Sequence, residues 1–193
     1  MKTMFFEYGR FGISWFMFFV LSLGAIGYYI ARSLGAQYGE DKKQIEDIYL
    51  MILLSSFMGA RIFYVITHFS LYKGSYFSIL KLSHDNLSLI GGVITGLIVT
   101  FIVSKKEKIE MNKLLKIMLP PFYFSIAVGI WIGNFDPLFN LSSNLRNNPR
   151  MVLLVSIIFL GGLILELTIL KEEKRKNLRW LVLMIVMFLY YII

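Results

Sequence analysis

Cysteine is missing from all 193 residues. Its absence removes disulfides, thiolate metal sites and a cysteine nucleophile together, and it leaves no thiol on this chain to be lipidated. Charge is also scarce: Asp, Glu, Lys and Arg make up 17% of the residues, against about 25% in soluble domains. Histidine occurs twice and proline four times. Apolar residues, by contrast, reach 57%, above the roughly 45–50% of soluble domains, and the mean hydropathy is +0.67. A water-soluble globule is excluded on these figures. With 16% aromatics, so is disorder driven by low hydrophobicity and high charge. The composition is that of an integral membrane protein.

Six apolar stretches are separated by polar or charged punctuation, at about residues 11–31, 48–69, 87–104, 114–135, 151–170 and 178–193. Crossing a hydrocarbon core of ~30 Å takes about 20 helical residues. The first five are long enough. The sixth is marginal, since 16 residues reach only ~24 Å at ~1.5 Å per residue, and no polar flank follows it. Pro120-Pro121 suits a helix start, so the fourth span is expected to begin there, with residues 112–119 lying along the membrane surface. The N-terminal segment is too long for a signal peptide and lacks a small-residue cleavage site. No repeat or linker divides the chain. The expected fold is one all-α polytopic membrane domain of six transmembrane helices over residues 1–193.

Lys and Arg total 20 against 12 Asp and Glu, an excess that in a membrane chain reports orientation rather than nucleic-acid binding. Thirteen of the basic residues fall on one side of the expected spans, mostly at 105–116 and 171–179, and six on the other. The positive-inside bias puts the thirteen in the cytoplasm and the N-terminus outside. With six spans the C-terminus is outside as well.

A few residues do not belong in lipid. Arg61 stands near the middle of the second apolar stretch, too deep to snorkel easily, and an arginine there costs ~2.5–3.5 kcal/mol on insertion scales. It is either a functional residue or a buried arginine satisfied by carbonyls or a carboxylate. Glu166, in the fifth stretch, is available to pair with Arg61, but its place near the cytoplasmic end favours simple access to water. Gly133-Asn134-Phe135 followed by Asp136-Pro137 has the residues of a helix-ending turn. Gly92/Gly96 and Gly129/Gly133 are spaced for close helix approach and read as packing seams within the chain. The Gly91-Gly92 pair has room for a lipid head group beside the backbone, although tight packing is the simpler use. His68 and His84 lack partners at ligand spacing, so no metal site is expected, and no nucleotide loop or Ser/His/Asp arrangement suggests a cofactor or hydrolytic chemistry.

The order of these features resembles the prolipoprotein diacylglyceryl transferase family. Those inner-membrane enzymes move a diacylglyceryl group from phosphatidylglycerol to a lipobox cysteine thiol, forming a thioether. The resemblance spans about residues 13–136. Residues 13–16 and 27–32 look like the family's first span. Residues 59–65, Gly-Ala-Arg-Ile-Phe-Tyr-Val, are similar to its Gly-Ala-Arg-x-x-Tyr-Val stretch. Residues 87–92 resemble its Met-Ser-Phe-His-Gly-Gly segment, and 127–135 the Gly-Arg-x-Gly-Asn-Phe signature. The resemblance implies the family's helical core, a bacterial cytoplasmic membrane and an N-terminus outside, in agreement with the charge count. Arg61, Tyr64, Gly91, Gly92 and Asn134 are its surviving candidate lipid-binding residues, with a phospholipid, phosphatidylglycerol first, as partner.

The departures fall on the chemistry. Ile90 stands where the family has its functional histidine, Trp131 where the signature has arginine, Phe16 where the first span has tyrosine, and Pro137 and Phe139 where Asn and Glu follow Asn-Phe. The family's large extracytoplasmic head region is reduced to a short loop at 136–150, and the helices at 151–193 diverge. Transfer needs an anionic head group held, its departure stabilised and a thiol deprotonated. Arginine forks suit phosphate and histidine can take the proton; isoleucine and tryptophan do neither. The favoured reading is a non-catalytic member that keeps a phospholipid-binding cavity and serves as an accessory or subunit of a membrane system, with a membrane-protein partner. The alternatives are a working transferase on an unusual arrangement, using Arg61, Tyr64 and Asn134 with His84 or Asp85, and a transporter or immunity-type component sharing only the fold.

Overall fold

The computed structural model describes residues 4–8, 11–72, 87–134, 148–170 and 176–192. Among them are six α-helices, α1 (Trp15–Gln37), α2 (Lys42–Thr67), α3 (Leu89–Glu107), α4 (Met111–Gly129), α5 (Pro149–Thr168) and α6 (Lys176–Ile192). The all-α polytopic architecture expected from the sequence is the one found. Five helices are long and apolar enough to cross a membrane, while the apolar part of α6, Leu178–Ile192, is shorter.

A short antiparallel hairpin precedes the bundle, β1 (Met4–Tyr8) with β2 (Phe11–Ser14), where the apolar count alone would begin a helix at residue 11. The switch comes at Ser14, whose Oγ accepts from the backbone N–H of Met17 at 3.2 Å and caps α1. Similar side-chain caps start other helices, with Asp41 accepting from the Gln44 N–H and Ser88 from the Gly91 N–H. Each satisfies a donor that the first turn leaves open. Gly39, at φ +76°, makes the tight turn between α1 and α2 that an L side chain would strain.

Helix α4 is the centre of the bundle and corrects one expectation. It runs unbroken through Pro120 and Pro121, and residues 112–119 do not lie along a surface. Leu114, Leu115, Ile117, Met118 and Leu119 are all buried, so this stretch meets neighbours on most of its circumference. Interior prolines lose backbone hydrogen bonds, a loss that packed membrane helices tolerate by local adjustment; here Pro121 packs beside Gly27 of α1. One core joins α4 to α5 and α6 around Tyr123, Val155, Phe159 and Leu183. Another joins α1, α2 and α3 to the first turns of α4 around Ala31, Ile45, Val103 and Leu114. The Ser156 hydroxyl donates to the Ala127 carbonyl at 2.7 Å and adds a polar tie between α5 and α4.

Glycines set how closely α2 and α3 approach. The space a Cβ would need at Gly59 is taken by Thr95, at Gly91 by Phe63, and at Gly96 by Ser56. The Gly92/Gly96 spacing therefore serves a seam within the chain, as its periodicity suggests.

Polar groups gather at the end of the bundle that carries Tyr38. Glu40 pairs with Lys113, the Gln44 amide donates to Glu107 at 3.0 Å, and Lys116 lies over the Tyr38 ring at 5.6 Å. Glu166 is part of this end. Neither water nor Arg61 is its partner, contrary to both expectations: its carboxylate is paired with Arg179 of α6, and both side chains are 1% exposed. Arg179, counted in a loop by charge alone, is a buried helix residue.

Candidate functional site

Between the first four helices, with α6 behind them, lies a cavity of about 450 Å³. Its walls are mostly apolar. Phe16 and Leu23 face it from α1, Ile52 and Phe57 from α2, Val93 from α3 and Phe122 from α4. The polar groups along it are hydroxyls, from Tyr49, Ser56, Ser88, Thr100, Ser125 and Tyr190, and among the described lining residues there is no charged side chain or imidazole. Several hydroxyls are already engaged. Tyr49 donates to the Gly24 carbonyl at 3.2 Å, Thr100 to the Gly96 carbonyl at 2.7 Å, and Ser88 caps α3. Such a lining is chemically compatible with hydrocarbon, and among its described residues there is no group that ordinarily titrates near neutrality.

Of the five candidate residues, only Gly92 is among the described residues that line this cavity, with Arg61 and Gly91 next in sequence to the lining residues Ala60 and Gly92. Gly92 also packs against the Ser56 carbonyl and Ala60. Gly91 faces Phe63 in the α2–α3 seam, so the room beside it is occupied by an aromatic side chain. Arg61 is 8% exposed and follows Ala60, whose carbonyl accepts from the Ser88 N–H at 3.0 Å. Helix α2 begins at Lys42 and ends at Thr67, so Arg61 is six residues, roughly 9 Å at ~1.5 Å per residue, from the C-terminal end of the helix. The end is fixed by Thr67, whose hydroxyl donates to the Phe63 and Tyr64 carbonyls at 2.9 and 3.0 Å, and by His68, whose Nδ1 lies 3.2 Å from the Tyr64 carbonyl. Tyr64 stacks on the His68 ring at 4.2 Å with 9° between the planes. Asn134 ends a 3-10 turn, Ile130–Asn134; its side chain lies outside the described residues, as do His84, Asp85, Asp136, Pro137 and Phe139.

The positions where the resemblance marks lost chemistry have ordinary surroundings. Phe16 lines the cavity with a ring and no hydroxyl. Trp131 packs on the α4–α5–α6 core, and Ile90 is half-buried in the first turn of α3. Reading the sequence missed the part played by α6, which contributes Leu183 and Tyr190 to the cavity wall. The available signal was Arg179 itself, an arginine entering an apolar segment one short connection after an intramembrane glutamate.

At the Tyr38 end, the Tyr38 phenol has its pKa raised above the usual 10.0, chiefly by burial, with nearby Arg179 opposing and Glu166 reinforcing the shift. It remains a neutral hydroxyl at physiological pH.

Comparison with known proteins bears on the same residues. The sequence model of the family described as prolipoprotein diacylglyceryl transferase matches residues 3–137, the hairpin through α4 and its 3-10 turn. A phosphatidylglycerol–prolipoprotein diacylglyceryl transferase of Clostridium kluyveri is 30% identical over 131 residues, 67% of this chain and 51% of that protein. One of Listeria welshimeri is 25% identical over 188 residues, 93% and 66%, and one of Finegoldia magna 32% over 117 residues, 60% and 47%. The chain spans about half to two thirds of the length of these relatives. A match over the cavity-forming helices, in a polytopic bundle of the expected kind, makes this chain a member of the prolipoprotein diacylglyceryl transferase family.

Proposed function

We propose that this family member binds phospholipid in the α1–α4 cavity without carrying out diacylglyceryl transfer, and serves as an accessory or subunit of a membrane system. One observation carries the reading: the cavity is walled by hydrocarbon and hydroxyls, with no charged group or imidazole among its described lining residues. A mainly apolar concavity with a few placed polar groups is the usual form of a small-molecule site. The positions that resemble the family's histidine and signature arginine hold Ile90 and Trp131, and neither can move a proton or fork onto phosphate. Phosphatidylglycerol is the first candidate lipid, because it is named for the relatives. The setting that suits this function is a bacterial cytoplasmic membrane, with the basic Tyr38 end inside and the N-terminus outside.

A working transferase is the second reading, favoured by family membership and by the retained Arg61 and Tyr64. One experiment separates the two. Purified full chain is incubated with phosphatidylglycerol and a lipobox peptide, and the peptide is weighed by mass spectrometry. The non-catalytic reading expects no diacylglyceryl mass gain above a no-protein control, together with phospholipid co-purified with the protein. A modified peptide would overturn it.

A further inference from the structure

Tyr123 of α4 is 0% exposed, and its hydroxyl has no hydrogen-bond partner among the described residues. Buried hydroxyls of native folds are almost always bonded, to protein or to ordered water. The ring itself is held in place. It meets Phe159 of α5 edge-on at 6.3 Å, and a Cβ at Gly162 would lie 3.2–3.3 Å from three of its atoms. Neither Tyr123 nor Glu166 lines the cavity.

An acceptor with capacity to spare lies close by. Glu166 stands four positions after Gly162, on the same face of α5. A carboxylate has about four lone-pair sites. Among the described residues its one donor is the Arg179 Nε, shared between the two oxygens at 2.9 and 3.2 Å. Direction brings the two groups together. Helix α4 leaves the Tyr38 end and α5 returns to it, since Arg179 bonds the carbonyls of both Asn112 and Leu170. Helical side chains lean toward the N-terminus of their own helix, so Tyr123 leans toward the Tyr38 end and Glu166 away from it. The hydroxyl and the carboxylate converge, and Tyr123 is within electrostatic reach of both Glu166 and Arg179.

We propose that one water molecule is bound at this junction of α4, α5 and α6, accepting from the Tyr123 hydroxyl and donating to the Glu166 carboxylate. The charges present select a neutral ligand. Arg179 already balances Glu166, and Lys116 acts on the same carboxylate. A further cation meets excess positive charge there, and an anion meets the carboxylate. Buried waters have two to four polar partners, of which the hydroxyl and the carboxylate supply two. The water makes Tyr123 a member of the Glu166–Arg179 lock and ties the middle of α4 to it, as the Asn112 carbonyl ties the start. The site is separate from the lipid cavity and independent of what that cavity holds.

Tyr123→Phe, which removes only the hydroxyl oxygen, tests the bridge through unfolding temperatures of the purified full chain in detergent. In the parent chain it should lower the temperature by about 2–4 °C, the shift of one hydrogen bond in a chain of this size. In a Glu166→Leu/Arg179→Leu background the carboxylate is gone, and the same change should cause no loss or a gain, because it removes an orphaned hydroxyl. Packing alone does not reverse with the background in this way. A rise in the parent chain, or equal losses in both backgrounds, would overturn the bridge. A density map of the full chain in nanodiscs, at a resolution that shows ordered water, separates water from direct contact. A peak within about 3.2 Å of both Tyr123 Oη and a Glu166 carboxylate oxygen is expected. Direct contact between those two groups, or no peak between them, would remove the water.

Discussion

Arg179 of α6 holds Glu166 of α5 in a two-pronged contact, Nε to Oε2 at 2.9 Å and to Oε1 at 3.2 Å. The other guanidinium nitrogens donate to backbone carbonyls, of Leu170 at 2.6 Å and of Asn112 at 3.3 Å. A single side chain thus ties the beginning of α4, the end of α5 and the beginning of α6. With charge and hydrogen bonds matched, the guanidinium tolerates burial that an isolated charge would not. The contact also anchors α6, which lines the cavity through Leu183 and Tyr190, so a structural pair at the Tyr38 end bears on the cavity wall.

Breaking this pair from one side strands the other charge. Glu166→Leu or Arg179→Leu alone is expected to cost about 3–5 kcal/mol, and the double Leu variant to recover most of it, because well-packed apolar residues replace buried pairs at little loss. Thermal unfolding of the purified chain in detergent reads the coupling. Additive losses in the double variant would show that the two residues do not act as a unit.

The pair also bears on topology. The apolar part of α6 is short, Leu178–Ile192, and it opens beside an arginine, which hydrocarbon resists unless the charge is matched. Reporters fused after Lys108 and after Arg175 should read as cytoplasmic, and a reporter after Ile193 as external. Introducing Glu166→Leu should shift a substantial share of the Ile193 reporter to the cytoplasmic side. If that reporter stays external in the variant, α6 crosses without help from Glu166.

Much of the fold was legible because hydropathy and charge act residue by residue. Long apolar runs give spans, and Ser14, Asp41 and Ser88 are ordinary helix-capping residues. Features that depend on neighbours were not legible. Pro120-Pro121 looks like a helix start until α1 is seen packed against it, and Arg179 looks like a loop charge until Glu166 is seen opposite. Arg61 was identifiable by type, but the Thr67 and His68 contacts at the end of α2 leave no mark in a hydropathy window. The cavity was least legible, since its lining comes from five helices far apart in the sequence.

Arg61 is the one deep cation on α2, two turns from the helix end. Arg61→Leu is expected to lower co-purified anionic phospholipid several-fold, and Arg61→Lys to restore only part of it, because a lysine keeps the charge without the planar fork. Phosphorus content and lipid mass spectra of purified protein provide the measurement. Unchanged lipid alongside a lowered unfolding temperature would assign Arg61 to packing.

Two glycines make opposite predictions on the same chemistry. A methyl group at Gly91 would press into Phe63 and approach the Gly59 carbonyl. Gly91→Ala must therefore push α2 and α3 apart, at a cost of about 1–3 kcal/mol by the usual penalty for overpacking. Gly161 on α5 has nothing within 4 Å of the same methyl, and Gly161→Ala only trades a flexible helical residue for a better helix former, a gain of about 0.5–1 kcal/mol. Unfolding temperatures in one detergent should fall for the first and hold or rise for the second. Equal destabilisation by both would mean that Gly161 faces a partner helix from outside this chain, and a harmless Gly91→Ala would mean that the α2–α3 seam is looser than its geometry.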